Sequence, residues 1–246
     1  MADAHRAAAP RDASAPLLAI EGLEGWYGES HVLHGVTFDV RPGEVVTLLG
    51  RNGAGKTTTL RAIIGILGKR RGSIVFDGVE TIGMPSRLIA RLGVGYVPEE
   101  RGIFASLSVH ENLMLPPRVK PGGMSVDDIY ALFPNLRERS RSQGTKLSGG
   151  EQQMLSIGRI LRTGAKLILL DEPTEGLAPV IVQQIGRTLQ RLKAEGYTTV
   201  LVEQNFRFAQ TVADRHFVVE QGRVVDMIPN HDLDANLGKL HAYLGV

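Results

Sequence analysis

Val45-Val46-Thr47-Leu48-Leu49-Gly50-Arg51-Asn52-Gly53-Ala54-Gly55-Lys56-Thr57 decides the reading of this chain. The first five residues are apolar or β-branched, the composition of a buried strand. Gly50 to Thr57 fits the phosphate-loop pattern G-x-x-x-x-G-K-[ST], and Thr57 to Leu67 can continue as a helix. Strand, glycine loop and helix together let backbone N–H groups surround a phosphate, with the positive end of the helix behind them. Residues Asn52, Gly53, Ala54, Gly55, Lys56, Thr57 and Thr58 are therefore the expected nucleotide-binding set. Lys56 reaches the β- and γ-phosphates in this arrangement, and the Thr57 hydroxyl is a Mg²⁺ ligand. The predicted fold is α/β with buried parallel strands.

A second stretch completes such a site. Leu167-Ile168-Leu169-Leu170 is a short apolar run that ends in Asp171-Glu172. It reads as a fully buried parallel strand that presents two carboxylates at its C-terminal edge. Taken alone, an acidic pair is an ordinary strand end. Beside a phosphate loop, Asp171 is expected in the Mg²⁺ shell and Glu172 as the base that polarises the attacking water.

The third stretch, Leu147-Ser148-Gly149-Gly150-Glu151-Gln152-Gln153, resembles the LSGGQ signature of the ATP-binding cassette (ABC) ATPases. Ser148 is a good helix N-cap, and two glycines permit close backbone approach. A helix from about Glu151 to Arg162 would aim its positive end at an anion. The resemblance implies that Ser148, Gly149 and Gly150 clamp ATP held by an opposite subunit. One phosphate loop and one signature per chain then imply a dimer, of identical or sister cassettes, with two composite sites.

The same resemblance assigns smaller elements. Tyr27 stands where these ATPases stack an aromatic ring on adenine, with Trp26 as the alternative stacker. Glu99, in Val97-Pro98-Glu99, replaces the usual Q-loop glutamine, and its carboxylate can approach Mg²⁺ or its water. Gln204 replaces the usual switch histidine; its amide can donate to a γ-phosphate but cannot titrate. Ala178 replaces the D-loop aspartate in Glu175-Gly176-Leu177-Ala178-Pro179. Together these departures resemble the second ATP-binding subunit of branched-chain amino-acid importers. The implied work is ATP hydrolysis that powers solute import through transmembrane permease subunits, served indirectly by an external solute-binding protein. A urea or amide importer, another ABC transporter, and a soluble non-transport ABC ATPase are the alternatives.

Composition narrows the field. A net charge of +2 without any Lys/Arg block argues against nucleic acid. With no cysteine, disulfide scaffolds and thiolate metal sites are excluded. No apolar run approaches the roughly 18 residues of a membrane span. The expectation is a cytoplasmic protein, peripheral on the inner face of the cell membrane through its partners. Met1 to Pro16 reads as a disordered tail, and 17–246 as one ABC ATPase domain with a helical subdomain over about 100–163. Strands are expected at Leu17–Glu24, Val32–Val40, Ser73–Phe76, Val94–Val97 and Thr198–Val202. A helix is expected at Val180–Ala194, a hairpin at His216–Met227 and a terminal helix at Asp232–Leu244.

Overall fold

The computed structural model describes residues 15–245. All but the last two residues of the expected tail lie outside them. In chain order the elements are β1 (Leu18–Tyr27), β2 (Ser30–Val40), β3 (Val45–Leu49), α1 (Lys56–Ile63), β4 (Lys69–Phe76) and β5 (Val79–Glu80). Next come α2 (Ser86–Leu92), β6 (Val94–Val97), α3 (Val109–Met114), α4 (Val126–Leu132), α5 (Pro134–Glu138) and α6 (Gly149–Arg162). The chain continues through β7 (Leu167–Asp171), α7 (Pro179–Ala194), β8 (Thr198–Glu203), α8 (Phe206–Val212), β9 (Arg215–Glu220), β10 (Arg223–Pro229) and α9 (Leu237–Leu244).

Two sheets form. An antiparallel sheet has the order β2-β1-β4-β5, and a larger sheet the order β10-β9-β3-β8-β7-β6. In the larger sheet β9, β3, β8, β7 and β6 run parallel, and β10 returns antiparallel to β9. Both of its faces are covered, so alternate side chains of one strand enter different cores. Val46 and Leu48 join Leu60 and Ile63 of α1 and the inner face of the antiparallel sheet. Val45 instead joins Met154, Leu155 and Leu161 of α6 and Ile185 and Leu189 of α7. The same period of two splits β7: Leu167 and Leu169 face one way, Ile168 and Leu170 the other. A one-residue slip of β3 or β7 would exchange the two sets, so burial on both faces fixes the register.

That register positions the site. Leu49 lies opposite Glu203, and Asp171 opposite Val202, so β3, β7 and β8 end at one level. The loops that leave these ends meet at the C-terminal edge of the sheet, where ligands of open α/β sheets bind.

Local chemistry moves several boundaries. The first helix stops at Ile63 and does not continue to Leu67, because Gly65 turns left-handed at φ +78°. The terminal helix starts at Leu237, not Asp232. Residues Asn230–Asp232 and Asp234–Asn236 make single 3₁₀ turns that leave Leu233 fully buried. Short polar side chains here favour turns over helix. Helices α2 and α8 and the two-residue β5 were not anticipated. α8 did carry a signal: the Asn205 side chain caps it at Phe208 N, 3.1 Å away.

Candidate functional site

The phosphate loop is built as its sequence requires. Gly53 and Gly55 adopt φ +79° and +106°, left-handed values that a Cβ disfavours. A Cβ on Gly50 would come within 2.2 Å of the Val219 carbonyl oxygen. The loop is held from outside by the β9–β10 turn, whose Gly222 N–H donates to the Ala54 carbonyl at 2.8 Å. Lys56, buried with 4% of its surface exposed, donates to the carbonyl oxygens of Gly50 and Arg51 at 2.7 and 3.1 Å. Burial lowers the Lys56 pKa, and the nearby Glu172, Asp171 and Glu203 carboxylates oppose that shift.

Asp171 and Glu172 stand across from this loop. The Thr57 hydroxyl donates to one Asp171 oxygen at 2.8 Å, and the Tyr96 hydroxyl donates to the other at 2.9 Å. Burial raises the Asp171 pKa against the pull of these two donors. Glu172 is 3.8 Å from the Lys56 amine. Its backbone is left-handed, φ +45°, a conformation that costs a non-glycine residue about 1–2 kcal/mol. The strain is held in place: Glu172 N donates to the Val202 carbonyl at 3.0 Å. The Gln204 amide donates to both Glu172 oxygens, at 3.1 and 3.0 Å. The predicted base is therefore gripped by the residue that replaces a histidine.

Asn52, Gly53, Gly55, Lys56, Thr57 and Thr58 line one cavity of about 360 Å³ together with Glu99, Glu172 and Gln204. Val32 and Glu175 line it too, and sequence reasoning gave them no role. Glu175 follows Thr174, and the proximity of Glu172 and Glu99 adds to burial in raising its pKa. Sequence reasoning also missed Tyr96 and Glu203. The signal for Glu203 was available, a carboxylate ending an otherwise apolar strand. It is 3% exposed, and its two oxygens accept from the Thr174 hydroxyl at 2.7 Å and from Asn205 N at 3.3 Å. Burial pushes its carboxyl up to about 7.

Tyr27 and the signature residues sit elsewhere. Tyr27 is 44% exposed at the tip of the β1–β2 hairpin, 3.5 Å from Arg61 of α1. Trp26, the alternative stacker, is engaged on the sheet: its ring stacks on His31 at 4.3 Å, and Lys69 and Arg71 cover it. Ser148 caps α6 in a full capping box, accepting from Glu151 N while the Glu151 carboxylate accepts from Ser148 N. Ser148, Gly149 and Gly150 do not line the cavity that holds Lys56. Gly150 has no room for a Cβ, which would lie 2.7 Å from Ile181 of α7.

The site thus offers a cradle of backbone N–H groups, one buried cation, an aspartate–hydroxyl pair and a carboxylate poised by an amide. This is the equipment for phosphoryl transfer to water. Among the described residues no helix is long and apolar enough to cross a membrane.

Comparison with known proteins agrees. The profile of the family described as ABC transporter matches residues 33–175. The high-affinity branched-chain amino acid transport ATP-binding protein BraG of Pseudomonas aeruginosa is 42% identical over 238 residues, covering 93% of this chain and all of the relative. The lipopolysaccharide export system ATP-binding protein LptB of Escherichia coli is 35% identical, covering 85% of this chain and 88% of the relative. The solved ATP-binding subunit of an ABC transporter superposes with a TM-score of 0.78 at 29% identity, covering 94% of this chain and all of that one. Sequence, architecture and site geometry converge: the chain belongs to the ABC transporter family, as one of its ATP-hydrolysing cassettes.

Proposed function

We propose that this chain hydrolyses ATP to drive uptake of branched-chain and other hydrophobic amino acids through membrane permease subunits at the inner face of the cell membrane. The observation that carries the reading is the Lys56–Glu172–Gln204 constellation on a phosphate loop, in a chain similar along nearly its whole length to BraG. In this reading Glu172 takes a proton from water as its oxygen bonds to the γ-phosphorus and the bond to the β-phosphate oxygen breaks. The products are ADP and phosphate. Gln204 holds the Glu172 carboxylate toward that water, and Lys56 balances charge on the phosphate oxygens. Tyr27, exposed at the hairpin tip, stacks on the adenine ring in this reading.

Mg²⁺ fits the donor set. Thr57 Oγ1 and the Asp171 carboxylate converge at 2.8 Å, and Glu99 lines the same cavity. These are hard oxygen donors, and one or two of them, with waters and phosphate, make the usual protein share for this ion. Bound there, Mg²⁺ neutralises charge on the phosphate oxygens. Ser148, Gly149 and Gly150 lie outside the cavity, so they act on nucleotide held by a second ATPase subunit, a copy of this chain or a sister cassette. An external solute-binding protein delivers the cargo.

Similarity to LptB supports a second reading, the same ATPase role in an exporter. Uptake of labelled leucine, with labelled urea in parallel, separates the readings in cells that carry the native chain or Lys56→Ala. Loss of leucine uptake alone is the expected result. Loss of urea uptake alone moves the chain to a urea importer. No change in either removes the import reading.

A further inference from the structure

Arg101 lies two residues past Glu99 and has a left-handed backbone, φ +64°, as does Gly102 at φ +56°. The turn they make is fastened to α6. The Ser156 hydroxyl donates to the Arg101 carbonyl, and Arg159 Nη1 donates to the Gly102 carbonyl, both at 2.5 Å. The turn lays the Arg101 guanidinium on Gly149. A Cβ built there would meet Nη2 at 3.3 Å, Nη1 at 3.4 Å and Cζ at 3.5 Å. Nη1 also donates to the Gln152 side-chain oxygen at 3.4 Å.

The start of α6 needs such a cation. Its free N–H groups attract an anion, but its capping box uses a full carboxylate. Glu151 accepts from Ser148 N at 2.7 Å and from the Ser148 hydroxyl at 2.8 Å. A phosphate that approaches Ser148 and Gly149 therefore also approaches a negative charge. Two arginines from separate segments oppose it: Arg139, 3.7 Å from Glu151, and Arg101 on Gly149.

We propose that Arg101 is a positioning residue of the phosphate clamp: seated on Gly149, it offsets Glu151 and ties the clamp to the chain segment that leaves Glu99. The proposal rests on the reading of Ser148–Gly150 as a clamp for nucleotide in the opposite subunit. It gives each site a short path to the other. Displacement of Glu99 by nucleotide in one site moves the turn at Arg101, and that turn carries the guanidinium lying on the clamp of the other site.

The test uses the full chain. Arg101→Gly removes the guanidinium and relieves the left-handed strain, so the fold is retained. Arg101→Lys keeps the charge but loses the planar fork. Two quantities are read: the protein concentration at half-maximal ATPase rate, and ATP-induced dimerisation in a Glu172→Gln background by sedimentation. Arg101→Gly is expected to raise that concentration about tenfold, the equivalent of one charge-assisted hydrogen bond, and Arg101→Lys to recover part of it. Glu151→Gln keeps the capping box, so in that background the Arg101→Gly effect should shrink to about threefold or less. A structural role alone would leave the effect unchanged there, and that result overturns the proposal. Native dimerisation and rate in Arg101→Gly also overturn it. Ser148→Arg separates the two layers. If it abolishes dimerisation while Arg101→Gly does not, only the role of Arg101 fails. If it leaves dimerisation intact, the clamp reading itself fails.

Discussion

Glu203→Gln should make the protein less stable at pH 4 and more stable at pH 8. The buried carboxyl titrates near 7 in the folded protein, against 4.5 when exposed. Folding therefore binds a proton between these values, and stability is fully present below pH 4.5 and declines as pH rises through 7. The difference, about 2.5 pK units at about 1.4 kcal/mol each, is a penalty of about 3 kcal/mol at pH 8. Glutamine abolishes it. The amide oxygen can still accept from the Thr174 hydroxyl. The amide NH₂ cannot accept from Asn205 N, which loses a weak 3.3 Å bond of about 1 kcal/mol. The net expectation is a gain of about 2 kcal/mol at pH 8 and a loss of about 1 kcal/mol at pH 4, below the exposed value, where the penalty has all but vanished. Urea unfolding midpoints of both proteins, measured at the two pH values, give the comparison directly. A change of the same sign and size at both would refute the argument, because it would mean that Glu203 does not change charge between them.

Gly222→Ala tests the outer support of the phosphate loop. Its φ is +71°, and a Cβ there would lie 2.0 Å from the Val32 carbonyl oxygen, so the strain and overpacking should cost about 2–4 kcal/mol by thermal unfolding. Because Gly222 N–H also holds Ala54, ATP affinity measured by calorimetry should fall in the same variant. Gln204→Ala should lower kcat at least tenfold with little change in KM, since it frees the Glu172 carboxylate and removes no contact of the phosphate loop. An unchanged kcat would leave Gln204 without a role in holding the base.

Most of the larger sheet was legible from its apolar runs, because strands buried on both faces carry little else. The two carboxylates at the end of β7 were legible for the same reason: charge after Leu167–Leu170 has nowhere to go but the edge. The phosphate loop could be read residue by residue, since its glycines are required by backbone angles. What sequence reasoning missed is held by contacts between distant segments. Tyr96 reaches Asp171 across 75 residues, and Ser156 reaches Arg101 across 55. No local pattern encodes either bond. The short helices α2 and α8 are each 7 residues long, too brief for periodicity to stand out. The terminal helix was overextended because Leu233 and Leu240 are spaced like one helical face; in the fold they enter one core from separate turns.

The charge balance of the cavity explains why a lone cassette should be a poor ATPase. Its lining brings Glu99, Glu172 and Glu175 against a single cation, Lys56. ATP adds further negative charge. Repulsion between like charges falls off slowly in a partly dehydrated cleft, so the cradle of N–H groups and one amine do not balance it alone. Glu99 and Gln204, where a glutamine and a histidine are usual in the family, shift the balance further toward anion. In the proposed reading, the missing positive potential comes from bound Mg²⁺ and from the α6 start of the opposite subunit with its two arginines. That reading ties hydrolysis to assembly. On it, the carboxylates that serve the chemistry also oppose it until a second subunit closes.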